Sequence, residues 1–414
     1  MANTVLNPTI IAKAAVRILD NELVMANRVY RGYEDEFDKK ANGYDKGDTI
    51  TVRKPNQFTV RSGVTASIQD VTEGKQTFSV DTVMGVDFKF TSTQLTLNIS
   101  DLADRVIKPA MVQLANKIDS DLLTLYKSIY NWVGTPGTAI GSFAGFAKAP
   151  ERLDLTAVPS DERSGILSPS DFWAVAGSQT ALFMQQVAGP AYRKGDIGDI
   201  GDVSTYKSQN VQTHTVGTKA GTPLVNGASQ NVTYASVLNT ESIPGIQTLI
   251  TNGWTASSAI LKQGDVFTIA NVYAVNPVTK AKLAYLQQFV VQADISADGS
   301  GNATISIAPA IITSGAFQSV DSVPASAAAI TVLGTASTGY PQNLVFHKNA
   351  FGLVVVPMVK PPGAVDVGRE SYKGLSVRVI PYYTGSSDES SWRLDILYGK
   401  KTIDPRLATR TSGT

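Results

Sequence analysis

The chain has 414 residues, of which 43% are apolar and 17% charged; 36 basic and 35 acidic side chains leave a formal charge of +1, and cysteine is absent. That length predicts more than one core, and the near-neutral balance provides no global field that would pull the chain onto nucleic acid or anionic lipid. The lack of cysteine excludes disulfides, thiolate metal sites and a cysteine nucleophile, while plentiful Gly, Ser, Thr, Ala and Val predict more strand than helix.

The first residues, MANTVLNPTIIAKAAVRILDNELV, have no basic leading region, and Lys13, Arg17 and Asp20 interrupt the apolar ones, so the stretch does not read as a secretory signal. Residues 8–27 instead show helical spacing, with Ile11, Ala15, Ile18 and Leu23 or Val24 on one face and Pro8 in a first turn, where its missing N–H costs nothing. From Asp48 to Phe90 the period becomes two: Ile50 and Val52, Phe58 and Val60, Phe78 and Val80, then Val86, Phe88 and Phe90, with turn clusters RSG and TEGK between them. This predicts an extended β-hairpin region. Its middle, VTASIQDVTEGKQ, has too few large apolar side chains to bury itself and is expected to project and find its partner elsewhere.

Residues 99–128 carry the strongest helical pattern, through Ala103, Ile107, Met111, Leu114, Ile118, Leu122 and Leu125. Ser100 or Asp101 can cap it, and Pro109 predicts a kink or a short helix followed by a restart. Residues 143–210 mix short helices and strands; in RSGILSPSDFWAV a strand ends and Ser168 or Ser170 can cap the helix that follows. Between 213 and 340 charges thin out and strands such as DVFTIANV and QFVVQADIS recur between turns, as in a self-contained β-barrel or sandwich. Because the flanks match each other better than either matches this middle, it reads as an insertion into a host domain. The apolar run LVVVPMV at 353–359 is far too short for a bilayer and reads as a buried strand. GLSVRVIPYY and SWRLDILYG each alternate, with Leu375, Val377 and Val379 on one face and Trp392, Leu394, Ile396 and Tyr398 on another, and should pair.

Candidate sites are few. His214 and His347 fall in different segments and give neither a zinc constellation nor a base beside a nucleophile, so each is read as structural. RKGDIGDIGD places Asp196, Asp199 and Asp202 three apart, which could hold calcium; the stretch lacks the alternate-position carboxylates and closing Glu of a calcium loop, and a glycine-governed turn is preferred. Lys400, Lys401, Arg406 and Arg410 form a small basic tail, read as a solvated or intersubunit face. Arg393 and Asp395 share a strand face and are expected to satisfy each other or cross-strand partners. No catalytic, cofactor-binding or metal residue is assigned.

RLDILYGKKTIDPRLA at 393–408, with FHKNAFGLVVVP, GLSVRVIPYY, VAGPAYRKGDIGDIGDVSTYKSQNVQTHTVG and LANKIDSDLL, resembles the coat proteins of short-tailed bacteriophages that carry an inserted domain. The resemblance implies an α+β fold, the Hong Kong-type phage capsid fold, with an inserted β-barrel-like domain. It divides the chain into an N-terminal arm (1–47), an extended loop with peripheral-domain strands (48–95), a peripheral-domain spine helix (96–134), an axial domain (135–212), the insertion (213–340) and a return to both host domains with a C-terminal tail (341–414). It further implies a major capsid protein of the virion, assembled in the host cytoplasm into hexamers and pentamers of an icosahedral shell. Its partners would be copies of itself, a scaffolding protein, a portal protein and, weakly, packaged double-stranded DNA, with no cofactor and no membrane. Residues 1–27 and 56–82 are expected to lie across neighbouring subunits, because their apolar side chains exceed what their own strands can cover. The alternative from another class is a β-rich surface adhesin or carbohydrate-binding module; a hydrolase using scattered carboxylates such as Asp196 and Asp199 has no paired base or metal to rest on.

Overall fold

The computed structural model describes residues 8–33, 49–61, 63–66, 68–91, 103–180, 198–364 and 366–413. The chain forms two compact units, one of Met1–Ile50, Phe78–Leu122 and Phe351–Lys401, the other of Thr51–Thr77, Leu123–Ala350 and Thr402–Thr414.

In the first unit the long strand Glu389–Thr402 is the centre of a sheet. Leu375–Thr384 pairs with it antiparallel, Val379 opposite Leu394, and Thr82–Thr91 pairs on its other side, Phe88 opposite Trp392. The period of two puts Leu375, Val377, Val379, Leu394, Ile396 and Tyr398 fully inside. Gly368–Tyr372 adds a further antiparallel strand, and helix Pro8–Glu22 packs against it so closely that a Cβ at Gly368 would meet the Pro8 carbonyl at 2.3 Å. That helix ends at Glu22, short of the expected 27, and its buried stripe runs through Ile11, Ala12, Ala15, Val16 and Leu19, with Ile18 only half covered. Apart from the exposed Ile10, the apolar face of residues 8–22 is therefore covered by its own chain, against the expectation that the apolar side chains of residues 1–27 exceed what the chain can cover; residues 1–7 lie outside the described residues.

The second helix answers its proline as predicted, by a restart. Ala103–Ile107 is a π-helical turn and Lys108–Leu123 is α-helical, so the ladder is already irregular where Pro109 cannot donate. A 3₁₀ turn, Thr124–Ser128, follows, in which Tyr126 and not Leu125 takes the buried position. Ser100 and Asp101 lie outside the described residues. Asp119, deep in the first unit, receives the Val24 and Ala26 amides at 2.6 and 3.0 Å, fixing the turn after the first helix. Burial raises its carboxyl above the usual range, against the lowering effect of those amides.

The second unit holds two six-stranded sheets. One runs Ile330–Val332, Val266–Val275, Lys282–Val291, Ala303–Ala308, Gln247–Trp254, Gly221–Val225, antiparallel throughout. Its edges nearly meet: Leu224 bridges Ala329, and Val225 exchanges amide bonds with Ala327 and Ala328. The result is a barrel-like wrap around Phe267, Phe289, Ile305 and Val290, into which Tyr130 and Trp132 also pack. The chain enters and leaves this region through adjacent antiparallel strands, Thr213–Thr215 and Gly339–Pro341, with His214 opposite Tyr340.

The other sheet runs Trp132–Val133, Ala408–Thr411, Asn343–His347, Arg163–Leu167, Val203–Lys207, Asp199–Ile200. Helices Phe143–Leu155 and Pro169–Thr180 supply Phe146, Ala149, Leu153, Phe172 and Val175 to its core. Ser168 is the cap anticipated from sequence: its Oγ accepts the Asp171 amide at 3.2 Å and donates to Asp171 Oδ2 at 2.7 Å.

Candidate assembly surface

The strands Thr49–Arg53 and Lys75–Ser79 form a two-stranded ladder, and beyond it the pairing stops. Phe58 and Val60, expected in a strand, lie in a loop; the described residues from 54 to 74 contain no strand. Farther out, the Gln69 side chain ties the two arms. Gln69 Oε1 accepts the Thr59 amide at 2.8 Å and the Thr59 hydroxyl at 3.0 Å, while Gln69 Nε2 donates back to the Thr59 carbonyl at 2.6 Å. At the tip, Arg61 donates to the Gly63 and Thr65 carbonyls, and Gly63 takes the left-handed φ of +92° that the reversal requires.

The loop lacks cover. Phe58 is 57% exposed, Val60 99%, Val64 98%, Ile68 94% and Val71 64%. Single exposed apolar residues are ordinary, but five on one short loop mark a surface made to be buried by something else. A Cβ added at Gly63 would meet nothing of the described residues within 4 Å, so the side-chain face of the tip is open.

The polar motifs singled out in the sequence occupy the following positions. Asp196 lies outside the described residues. Asp199 opens the hairpin Ile200–Val203, whose two central residues, Gly201 and Asp202, both have positive φ of 56° and 59°, as a two-residue turn of right-handed strands demands. His214 is buried with Nε2 2.8 Å from Asp265 Oδ1 and Nδ1 3.1 Å from the Tyr126 hydroxyl, so both ring nitrogens are used. Asp265 in turn takes the Gly217 and Lys262 amides at 3.0 and 2.8 Å. Asp161, Glu162 and His347 bring three donor atoms within 4.8 Å of one another. There, however, the Asn349 amide faces His347 Nδ1 at 3.3 Å, leaving the Nε2–H toward Asp161, the wrong tautomer for a ligand at Nε2, and Lys348 already sits 2.8 Å from Glu162.

Arg393 and Asp395 do satisfy each other, and a cross-strand partner joins them. Arg393 Nε and Arg378 Nη2 each donate to the Asp395 carboxylate at 2.6 Å. The basic tail, by contrast, is not a solvated face. Ala408–Thr411 is an interior strand, and the Arg410 guanidinium is fully buried, donating to Gly264 O at 2.8 Å and Gln342 Oε1 at 3.2 Å above the rings of Tyr126 and Trp132. Burial pulls it down to about 9. Arg406 forks onto Asp404, with Nη2–Oδ2 at 2.7 Å, and Lys400 donates to the Asp121 carbonyl at 2.6 Å. Sequence reasoning missed these fates because charge alone says nothing of what the fold brings alongside.

Among the described residues, a pocket of about 40 Å³ has Arg406 as its one charged lining residue, and an open groove of about 450 Å³ beside Tyr382 and Tyr383 has only Asp366. Neither brings together the acid, base and nucleophile that a reaction needs.

The profile of the family described as P22 coat protein, gene protein 5, matches residues 1–410. A major capsid protein of Acyrthosiphon pisum secondary endosymbiont phage 1 is 22% identical over 383 residues, 89% of each chain. Among solved structures, one described as Mycobacterium phage Che8 is 13% identical, covering 94% of this chain and 90% of that chain, with a TM-score of 0.48. The CUS-3 coat protein I-domain is 25% identical, covering 28% of this chain and 98% of that chain, with a TM-score of 0.20.

Proposed function

Because this chain belongs to the P22 coat protein family and is a phage major capsid protein with the Hong Kong-type capsid fold, we propose that its exposed loop is the element by which one copy grips the next in an icosahedral shell. The observation that carries this is the set of five uncovered apolar side chains between Phe58 and Val71. Full burial of a Val, Ile or Phe side chain stabilises by about 1.5–3 kcal/mol, of which the costs of ordering and docking the loop leave a modest net contact. Repeated around hexamers and pentamers in a closed shell, modest contacts hold a container together.

The remaining assignments follow the same reading. The arm is residues 1–47, the extended loop and its strands 48–95, the spine helix 96–134, the axial domain 135–212, the insertion 213–340, and the return to both host domains 341–414. Entry and exit of the barrel-like region through neighbouring strands at His214 and Tyr340 is what an insertion into a host loop requires, and supports those bounds. The formal charge of +1 suits weak inner-surface contacts with packaged double-stranded DNA, because every neutralised phosphate adds salt-dependent affinity that a wall releasing its DNA would have to undo. Scaffolding and portal proteins are the other partners, assembly takes place in the host cytoplasm, and the role is structural rather than catalytic. The surface-adhesin alternative loses its ground, since the family match runs through the Gly- and Ser-rich middle on which it rested.

The test is removal of residues 60–70, which spares the Thr49–Arg53 and Lys75–Ser79 ladder. The expected outcome is soluble subunits with unchanged far-ultraviolet circular dichroism that give no shells in electron micrographs. Shells of normal size and number from this variant would overturn the assignment.

A further inference from the structure

The loop does not leave the second unit freely. Both of its arms rest on residues 234–242, the segment that leads into the barrel-like sheet. Lys54, buried, sends its ammonium to the Thr240 and Ser242 carbonyls at 2.6 Å each. On the other arm, a Cβ at Gly74 would meet the Leu238 carbonyl at 2.4 Å, so only glycine allows this approach. The Lys54 amide donates to Gly74 O at 2.8 Å, joining the arms at the same level, and Thr77 Oγ1 donates to Glu241 Oε1 at 2.8 Å just below.

Farther out, Asn56, Gln57, Phe58 and Thr72 face Tyr234, Ala235 and Phe317 across a groove of about 200 Å³. The wall on that side is rigid: the Tyr234 and Phe317 rings stack with centroids 3.5 Å apart, and Thr240 Oγ1 accepts the Ile246 amide at 2.8 Å, so the carbonyls that receive Lys54 are themselves held.

A surface lysine needs no such arrangement. An ammonium taken out of water must have its donors met by fixed acceptors, and backbone carbonyls 186 and 188 residues away in sequence do so only if the two segments keep one relative position.

We propose that residues 234–242 of the inserted region are a cradle that orients the loop before any second copy is met, with Lys54 as its pin and Gly74 as its point of close approach. The cradle gives the insertion a task in assembly. A loop ordered in advance loses less freedom on docking, so more of its apolar burial remains as binding. The loop's part in assembly is the reading of the previous subsection, and this inference rests on it only for its second readout.

The first readout is hydrogen exchange of unassembled subunits. In Lys54→Met, and separately in Gly74→Ala, the Lys54 amide, which donates to Gly74 O, and the amides of the paired strands Thr49–Arg53 and Lys75–Ser79 should exchange about tenfold faster, with protection in the strands Val266–Val275 and Lys282–Val291 unchanged. Thr77→Val, which removes only the bond to Glu241, serves as a milder third variant should either of the others fail to fold. The second readout is the rate of shell formation by light scattering, which should fall in the same variants in the same order. Unchanged exchange at the loop base overturns the cradle. Faster exchange with an unaltered assembly rate overturns its role in orienting the loop. Wild-type subunits that never form shells would strike the loop's assembly reading instead, a result the exchange data would separate.

Discussion

Asp395 shows how much one side chain can organise. Its carboxylate is almost fully buried between Arg378 and Arg393, and Gly85 on the neighbouring strand leaves the space it occupies, since a Cβ there would lie 2.7 Å from Oδ1. Asp395→Ala would strand the Arg378 guanidinium, itself mostly buried, and should cost about 3 kcal/mol in urea unfolding, whereas an exposed pair such as Lys348 and Glu162 should cost less than about 1 kcal/mol when broken. Lys280 offers a pH signature. Burial, with the positive Arg406 adding to it, lowers its ammonium from 10.5 to about 8. Below about 8 both folded and unfolded chains hold that proton and the burial penalty is fully present; between 8 and 10.5 the folded form releases it first, so stability rises with pH. Lys280→Gln should flatten that rise, compared by urea midpoints at about pH 7.5 and about pH 9, where only about a tenth of the tyrosines of the unfolded chain are ionised and both proteins share that contribution.

At the scale of elements, the two segments expected to reach across subunits part company. Helix Pro8–Glu22 buries its stripe at home, against Gly368–Tyr372, while the loop between Lys54 and Gly74 buries almost nothing. Replacing Val60, Val64 and Ile68 together by Ser should therefore leave urea stability of the subunit within about 0.5 kcal/mol of the wild type, because no contact of the folded subunit is removed. Shell formation should drop sharply in the same protein, read by light scattering and electron microscopy. A clear loss of subunit stability would mean that these side chains are already covered by their own chain.

At the scale of the molecule, the barrel-like region of residues 213–340 has a core to which two residues from outside that range, Tyr130 and Trp132, contribute. Trp132 exchanges two 2.7 Å hydrogen bonds with Gln288, through its amide and its carbonyl, and with Tyr130 joins the cluster around Phe267 and Phe289. Residues 213–340 alone should fold, with dispersed amide shifts in NMR, but with a stability reduced by on the order of 3 kcal/mol for the lost aromatic packing and the unpaired Gln288. Extending the fragment to begin at residue 124 does not restore this simply, because Trp132–Val133 needs Ala408–Thr411 as its strand partner. A collapsed spectrum from 213–340 would contradict an independently folding insertion.

Local chemistry alone determined a good deal of this protein. Alternation placed Leu375 to Val379 and Leu394 to Tyr398 on one buried face, the Ser-Pro-Ser-Asp stretch offered Ser168 or Ser170 as a helix cap, of which Ser168 caps, and Pro109 predicted a kink or a restart of the long helix, because each signal acts within a few residues of itself. Phe58 and Val60 obey the same alternation and form no strand, since a ladder also needs a partner in register and none is present there. Arg410 looked like solvent-facing charge, yet Gly264, Gln342, Tyr126 and Trp132, from 68 to 284 positions away in the chain, close around it. Which apolar groups stay uncovered, and which charges go inside, was settled by contacts of long sequence separation, and periodicity carries no information about those.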